Sequence, residues 1–298
     1  ERNAALERAH TLSRRLDAIS DQLSILRALA DINTAQAKHQ KSLAYAEQLS
    51  ELSRQVGDRP YEMLSHRMRG ISSFFLGHHQ KARTHLERGI QLYETLRHAP
   101  DPSMLPDVEE TAFMWAWLPL ILTVLGYPEQ ATACSCKVLS RIRKDGHVHA
   151  QAKMLTVAGT TLYATLRQPK ETLKHAEELL RLAETHHLRA FRGWAVFYLG
   201  WGHAELGDTE EGLREMTNGW EQLRATGTEA SIAHLLTLLA EAYAKAGETG
   251  RSAKALTHAM HLADKTHSHA YLAEMHRIQG EHHTTNAEKA ESQLRKAI

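Results

Sequence analysis

Two cysteines, Cys134 and Cys136, are all that 298 residues contain. Two apart on a helix, they point to different faces, so they cannot easily pair or share a metal. They read as reduced thiols of a cytosolic chain. The signatures of catalysis are missing as well. There is no GxxxxGK[ST] phosphate loop, no GxGxxG behind a strand, no GxSxG elbow, no HExxH and no CxxC pair. An excess of one charge is lacking: 36 Lys and Arg face 35 Asp and Glu, for a formal charge of +1. That balance gives no electrostatic reason to expect nucleic acid or an anionic membrane as partner. Proline is scarce, at 7 residues, and three of these crowd into the stretch 97–110. Strand-like alternation of apolar and polar residues is absent. The one long uncharged run is TAFMWAWLPLILTVLGYP, residues 111–128. Eighteen residues is the lower limit for crossing a bilayer. Pro119 sits near its middle, Gly126-Tyr127-Pro128 stops it and no Lys/Arg cluster flanks it, so it reads as a buried core helix.

What is present is a repeat. The glycines Gly77, Gly126, Gly207 and Gly247 can be superposed. Five residues on stand Ala82, Ala131, Gly212 and Ser252, all small, and twelve on stand Gly89, Val138, Gly219 and Ala259. Gly70, Gly200 and Ala240 lie seven residues before three of those glycines. Small side chains four and seven apart share one helix face and let a second helix approach. Each unit is thus helix, glycine turn, helix, with the glycine accepting the left-handed conformation that ends the first helix. With Thr172 filling the fourth place, the small slots fall at intervals of 49, 41, 40 and 40.

A period near 40 built from two helices marks a solenoid. The expected architecture is all-α: a right-handed α-solenoid of about six to seven helical hairpins, forming a single domain over 1–298. Its units are expected at roughly 20–58, 60–98, 108–145, 147–187, 189–227, 229–267 and 269–298. Residues 1–19 would be a helix from a preceding unit and 99–107 a Pro-rich loop that accounts for the long first interval. Pro119 should kink its helix. The chain opens on Glu1 rather than Met and shows no signal peptide, so a piece of a longer protein is expected.

The spacing of small, glycine and Leu/Met positions resembles the tetratricopeptide repeat. A narrower resemblance lies in SHRMRGISSFFLGHHQKARTHLERGIQLYETLRH (65–98), LTVLGYPEQA (122–131), LGWGHAELGDTEEGLREM (199–216) and LLTLLAEAYAKAGETG (235–250). These are similar to the C-terminal repeat region of bacterial multidomain signalling proteins. There, a class III nucleotide cyclase or DNA-binding domain precedes an AAA-type ATPase module and then a tetratricopeptide solenoid. The resemblance implies a sensory or docking role and carries no catalytic residues with it. Two places depart from the pattern: Pro119, and Arg167-Gln168-Pro169, where the fourth unit lacks its turn glycine.

Histidine is abundant, at 21 residues, many of them in local groups such as His78-His79, His186-His187, His258/His261 and His282-His283. Most fall in predicted turns, where neighbouring side chains diverge, so they read as solvated turn histidines rather than metal ligands. The basic groups Arg14-Arg15 and Arg141, Arg143, Lys144 form no extended stripe for nucleic acid. The carboxylate pairs Glu109-Glu110, Glu177-Glu178 and Glu210-Glu211 sit at helix starts or on polar faces, where the helix dipole favours them.

The tetratricopeptide resemblance implies that the first helix of each hairpin lines a concave groove. Its groove slots hold Arg67 and Phe74 in the second unit, Lys153 and Tyr163 in the fourth, and Trp194, Phe197, Trp201 and Glu205 in the fifth. The sixth supplies His234, Glu241 and Lys245, and the seventh Glu274, Arg277 and Glu281. Trp194, Phe197 and Trp201 share one helix face; they either pack against the next repeat or floor the groove. The expected function is a non-enzymatic, cytoplasmic interaction scaffold of a bacterial signalling protein, without metal or cofactor, docking a peptide or protein segment in the groove. The alternative is a small-molecule effector sensor with its ligand in the superhelical hollow. An upstream ATPase or cyclase module in the same chain and self-association are further candidate partnerships; nucleic acid and membrane are not expected.

Overall fold

The computed structural model describes residues 2–98, 108–145, 147–226, 231–282 and 287–297. The expected Pro-rich loop 99–107 lies outside them. The described residues are helical, with no strand among them, and the helices come in antiparallel pairs. They fall into two compact units, residues 1–150 and 151–298.

The first unit opens with α1 (Arg2–Arg15). Three pairs follow: α2 (Ile19–Ala35) with α3 (His39–Val56), α4 (Arg59–Phe75) with α5 (His79–Leu96), and α6 (Val108–Val124) with α7 (Pro128–Asp145). The second unit begins within α8 (Val148–Met154), which runs through a π-helical segment (Leu155–Thr161) into α9 (Leu162–Thr165). This long helix pairs with α10 (Pro169–Thr185). Next come α11 (Arg189–Leu206) with α12 (Thr209–Ala225), α13 (Ile232–Lys245) with α14 (Thr249–Thr266), and α15 (Leu272–His282) with α16 (Ala287–Ala297).

The turns explain the regularity. Left-handed residues stand at 17, 37, 57 and 77, twenty apart, and again at 167, 187 and 207 and at 247 and 267. At Gly77 the amide bonds back to the Phe74 carbonyl and the His78 amide to the Ser73 carbonyl, which satisfies two orphan carbonyls of α4. Arg167 and Gln168 make the same pair of bonds to Ala164 and Tyr163. The turn that lacks glycine keeps the glycine conformation, with Arg167 at φ 57°. A side chain there costs about 1 kcal/mol.

All five small slots are buried: Ala82, Ala131, Thr172, Gly212 and Ser252. Two such slots also carry a hydroxyl that ties the hairpin across its turn. Ser252 donates to the Ala240 carbonyl at 2.5 Å, and Ser42, forty residues before Ala82, donates to the Ala30 carbonyl at 2.9 Å. The 41-residue interval also has a local cause. One extra residue is taken up by the π-helical segment, where Thr160 and Thr161 both donate their hydroxyls to the Thr156 carbonyl at 2.8 Å. Side chains that bond the backbone in this way compete with the regular ladder and suit a π turn.

α6 runs on through Pro119. Its Met114, Ala116, Trp117, Leu120 and Ile121 are buried, and Trp117 meets Phe74 and Phe75 with ring centroids 5.3 and 5.2 Å away. The uncharged run is thus core as far as Leu122, while Val124 and Tyr127 are exposed. No described helix is long and apolar enough to cross a membrane. Neither cysteine is in a disulfide, and burial pushes the Cys134 thiol up to about 11.

Glycine lets α12 cross α11 closely. A Cβ on Gly212 would lie 2.5 Å from the Ala204 amide nitrogen and from the Gly200 carbonyl oxygen. Neither can yield, because both are backbone. Gly212→Ala should therefore destabilise the chain by about 2 kcal/mol or more, despite the better helix propensity of alanine. Gly250→Ala, with nothing within 4 Å of its Cβ, is the control and should leave stability unchanged or raised by up to about 1 kcal/mol. Urea unfolding of the two variants checks this.

Candidate functional site

In the first unit, Arg67 is buried on α4 and reaches back to Asp31 of α2 at 2.7 Å, with its guanidinium 5.8 Å from the Phe113 ring. Arg27 approaches the other oxygen of Asp31 at 3.8 Å. Phe74 is fully buried and packs on Phe75, His79 and Trp117. These two groove-slot residues therefore bind helix to helix.

The second unit gathers more. Glu241 lies on α13 with only 9% of its side chain exposed, yet it carries three cationic partners. Arg167 meets it at 2.5 Å, Arg277 at 3.2 Å and Lys245 at 3.5 Å. Arg167 also bonds Glu274 at 2.5 Å, and Arg277 bonds Glu274 at 2.6 Å and pairs with Glu281. Lys245 closes the row on Glu205 of α11 at 2.5 Å. Four hairpins thus contribute to one ionic row. Arg167, in the turn before α10, spans to α13 and α15 across the whole α11–α12 pair. Exposed ion pairs are worth little, but a carboxylate as buried as Glu241 depends on its partners. Burial pushes the Glu274 carboxyl up; the Arg277 hydrogen bond and charge, with the Arg167 charge, outweigh it and hold the group below its usual range.

Beneath the row lie aromatic groups. His234 is buried on α13 and stacks on Tyr271, with centroids 4.2 Å apart and planes at 20°. Its Nε2 has no hydrogen-bond partner. Burial first, then the Arg167 charge, pushes the His234 imidazole down to about 3, against a smaller pull from Glu274. Tyr198 on α11 is fully buried and shares a 2.9 Å hydrogen bond with Thr161 of the π-helical segment. Burial raises its phenol.

The remaining groove-slot residues are placed as follows. Tyr163 is buried and stacks on His175 at 5.2 Å, and Lys153 is half-buried on α8. Phe197 and Trp201 are fully buried, and only Trp194, stacked on Tyr198 at 6.2 Å, reaches solvent. The structure therefore brings Glu241, Lys245 and Arg277 together with Glu205, Glu274 and Glu281, above His234. Arg167 is the residue that sequence reasoning left out of the face. Its signal was the missing turn glycine.

The histidines need a correction. His79 is half-buried against Phe74, and burial, then His78, lowers its pKa. His39 and His175, outside the groups read from the sequence, are buried on rings: His39 lies 4.2 Å from Phe75 at 8°, and burial pushes it down to about 4. A periodic pattern does not show how deep the next helix covers these residues. Among the described residues no group of three or more His, Cys, Asp or Glu could hold a metal ion.

Residues 21–95 match the tetratricopeptide repeat family model. No curated protein sequence matches the chain. Among solved structures, the Rap conjugation gene regulator of plasmid pLS20, in complex with the Phr* peptide, aligns over 93% of this chain and 74% of its own. The identity is 14% and the TM-score 0.67. The human IFIT1 dimer with m7Gppp-AAAA aligns over 98% and 63%, at 12% identity and TM-score 0.57. A signal transduction ATPase with numerous domains and a tetratricopeptide repeat sensor, from Pyrococcus horikoshii, aligns over 92% of this chain but only 40% of its own, at 16% and 0.52. The fold is a tetratricopeptide-type solenoid. At these identities the likeness is one of fold.

This solenoid should be sensitive to acid. The folded-state pKa values of His39, about 4, and His234, about 3, lie below the unfolded value of 6.5. The folded chain then binds fewer protons than the unfolded one between these limits. Stability is full above pH 6.5 and is lost as pH falls toward 4. Glu274, held low in the fold, adds a loss below its unfolded value of 4.5. At pH 5 each buried histidine costs about 2 kcal/mol. Thermal melts from pH 7.5 to 5 should show a steep fall in Tm, and His39→Phe and His234→Phe should each flatten it. An unchanged slope in both would contradict the burial of neutral rings.

Proposed function

We propose that the chain is a non-enzymatic docking region of a larger bacterial signalling or regulatory protein, working in the cytoplasm. On this proposal it holds a peptide or protein segment on the face lined by the first helices of the hairpins in the second unit. The observation that carries it is the convergence of Arg167, Glu241, Lys245, Glu274 and Arg277, drawn from three hairpins, over the buried His234–Tyr271 pair. Charged groups set on rigid helices above an aromatic floor suit an extended segment, with specificity set by charge placement. A structural neighbour of the same fold holds a peptide, the Phr* peptide of the Rap regulator. Another neighbour carries its solenoid as the sensor of a multidomain ATPase.

The IFIT1 neighbour is bound to a capped RNA. The charge on this face argues for protein here: the row holds four carboxylates, Glu205, Glu241, Glu274 and Glu281, against Arg167, Lys245 and Arg277. Phosphate binding requires an excess of cations.

Trp201 is buried, so its replacement would test the core and not the face. Lys245 is exposed and is the better probe. With p-benzoylphenylalanine in place of Lys245, ultraviolet light should cross-link a discrete polypeptide segment. The synthetic segment should then bind the unlabelled chain with an affinity that Arg277→Ala shifts about tenfold or more, with Lys41→Ala, exposed in the first unit, as a control that changes nothing. A segment whose affinity ignores Arg277, or displacement by capped RNA, would contradict the proposal.

A further inference from the structure

We propose that Glu241 and Glu274 form a receptor for a cationic side chain, the arginine or lysine of a docked segment, and that Arg167 is the internal placeholder that fills it in the free protein. The proposal rests on docking at this face and adds the chemistry of what docks.

The first support is where Arg167 sits. The corresponding turns between paired helices carry Gly77, Gly126, Gly207 and Gly247, and Ala37 in the first pair. Among the described residues only Arg167 puts a long charged side chain on the left-handed position, at φ 57°, in a turn otherwise bonded like that of Gly77. That side chain reaches two glutamates, 74 and 107 residues away, each at 2.5 Å. It is itself 37% exposed, whereas Glu241 is 9% and Glu274 33% exposed. The guanidinium can therefore leave for water while the carboxylates stay partly covered.

The second support is which ligand could enter. An anion would have to draw Arg167 off its glutamates and leave Glu241 buried with one cation fewer, which is strongly unfavourable. A cation replaces Arg167 like for like. The row already holds four carboxylates against three cations, and with Arg167 swung out it holds four against Lys245 and Arg277 alone. The third support lies beneath. His234 is buried, its Nε2 is unpartnered, and its ring feels the charges of both Arg167 and Glu274. Burial keeps the ring neutral, so its nitrogen can accept an N–H from an entering guanidinium or ammonium group. A bidentate guanidinium fits the paired carboxylates better than ammonium, so arginine should outrank lysine.

The test removes the placeholder and supplies its head group. Glycine suits the left-handed turn, so Arg167→Gly should fold; Arg167→Asn, which also tolerates that conformation, serves as a second variant. N-ethylguanidinium is titrated into the full chain with the fluorescence of its tryptophans as readout, and ethylurea is the neutral control. Arg167→Gly should bind ethylguanidinium about tenfold or more tightly than the wild-type chain, since the internal competitor is gone. Ethylurea should not bind, and Glu274→Gln added to Arg167→Gly should abolish binding. Equal binding by wild type and both Arg167 variants, or equal binding of ethylurea, would overturn the proposal. Failure here with a segment still cross-linked at position 245 would leave docking intact with another chemistry. Success here without any cross-linked segment would instead sink the docking role.

Discussion

A helical hairpin of some forty residues is too small to cover its own apolar stripe, and every regular feature of this chain follows from that shortage. The second helix of each pair must come close enough to share its core with the first and with the next pair. Closeness demands a small residue at the crossing, which Ala82, Ala131, Thr172, Gly212 and Ser252 supply. It also demands turns of fixed length, which the left-handed residues provide at steps of twenty from 17 to 77, from 167 to 207 and from 247 to 267. Where one residue too many intrudes, α8 and α9 absorb it as a π turn and the pairing with α10 survives.

The same constraint frees part of the surface. Side chains on the first helices that are not needed between pairs can be polar, and in the second unit they meet across non-adjacent hairpins. Glu241 is the pivot of that meeting. A carboxylate this covered is tolerable only while cations attend it, so Arg167, Arg277 and Lys245 hold the face together and give it its chemical character at once. Stability and recognition then draw on the same groups, and a docked segment would have to offer contacts at least as good as those it displaces.

Much of this was legible from the residues. The small slots and turn glycines repeat because steric limits repeat, so the hairpins could be counted from the chain alone. Slot arithmetic also put Glu241, Lys245, Glu274, Arg277 and Glu281 on one face, since a helical face is a matter of spacing. Depth was not legible. Spacing put Phe197 and Trp201 on a line with Trp194 without revealing that neighbours bury two of the three. His39, His175 and His234 looked polar in composition yet stack as rings inside. Arg167 stood out only as a missing glycine, because its partners lie 74 and 107 residues downstream and no local rule links them.

The convergence of distant hairpins on Glu241 is the claim on which the rest turns, and a double-mutant cycle measures it directly. Urea unfolding of the full chain, of Arg167→Gly, of Glu241→Gln and of the double variant yields the coupling between two residues separated by an entire hairpin. Direct contact predicts a coupling of about 1 kcal/mol or more; additive effects, within about 0.5 kcal/mol, would show that the two never meet.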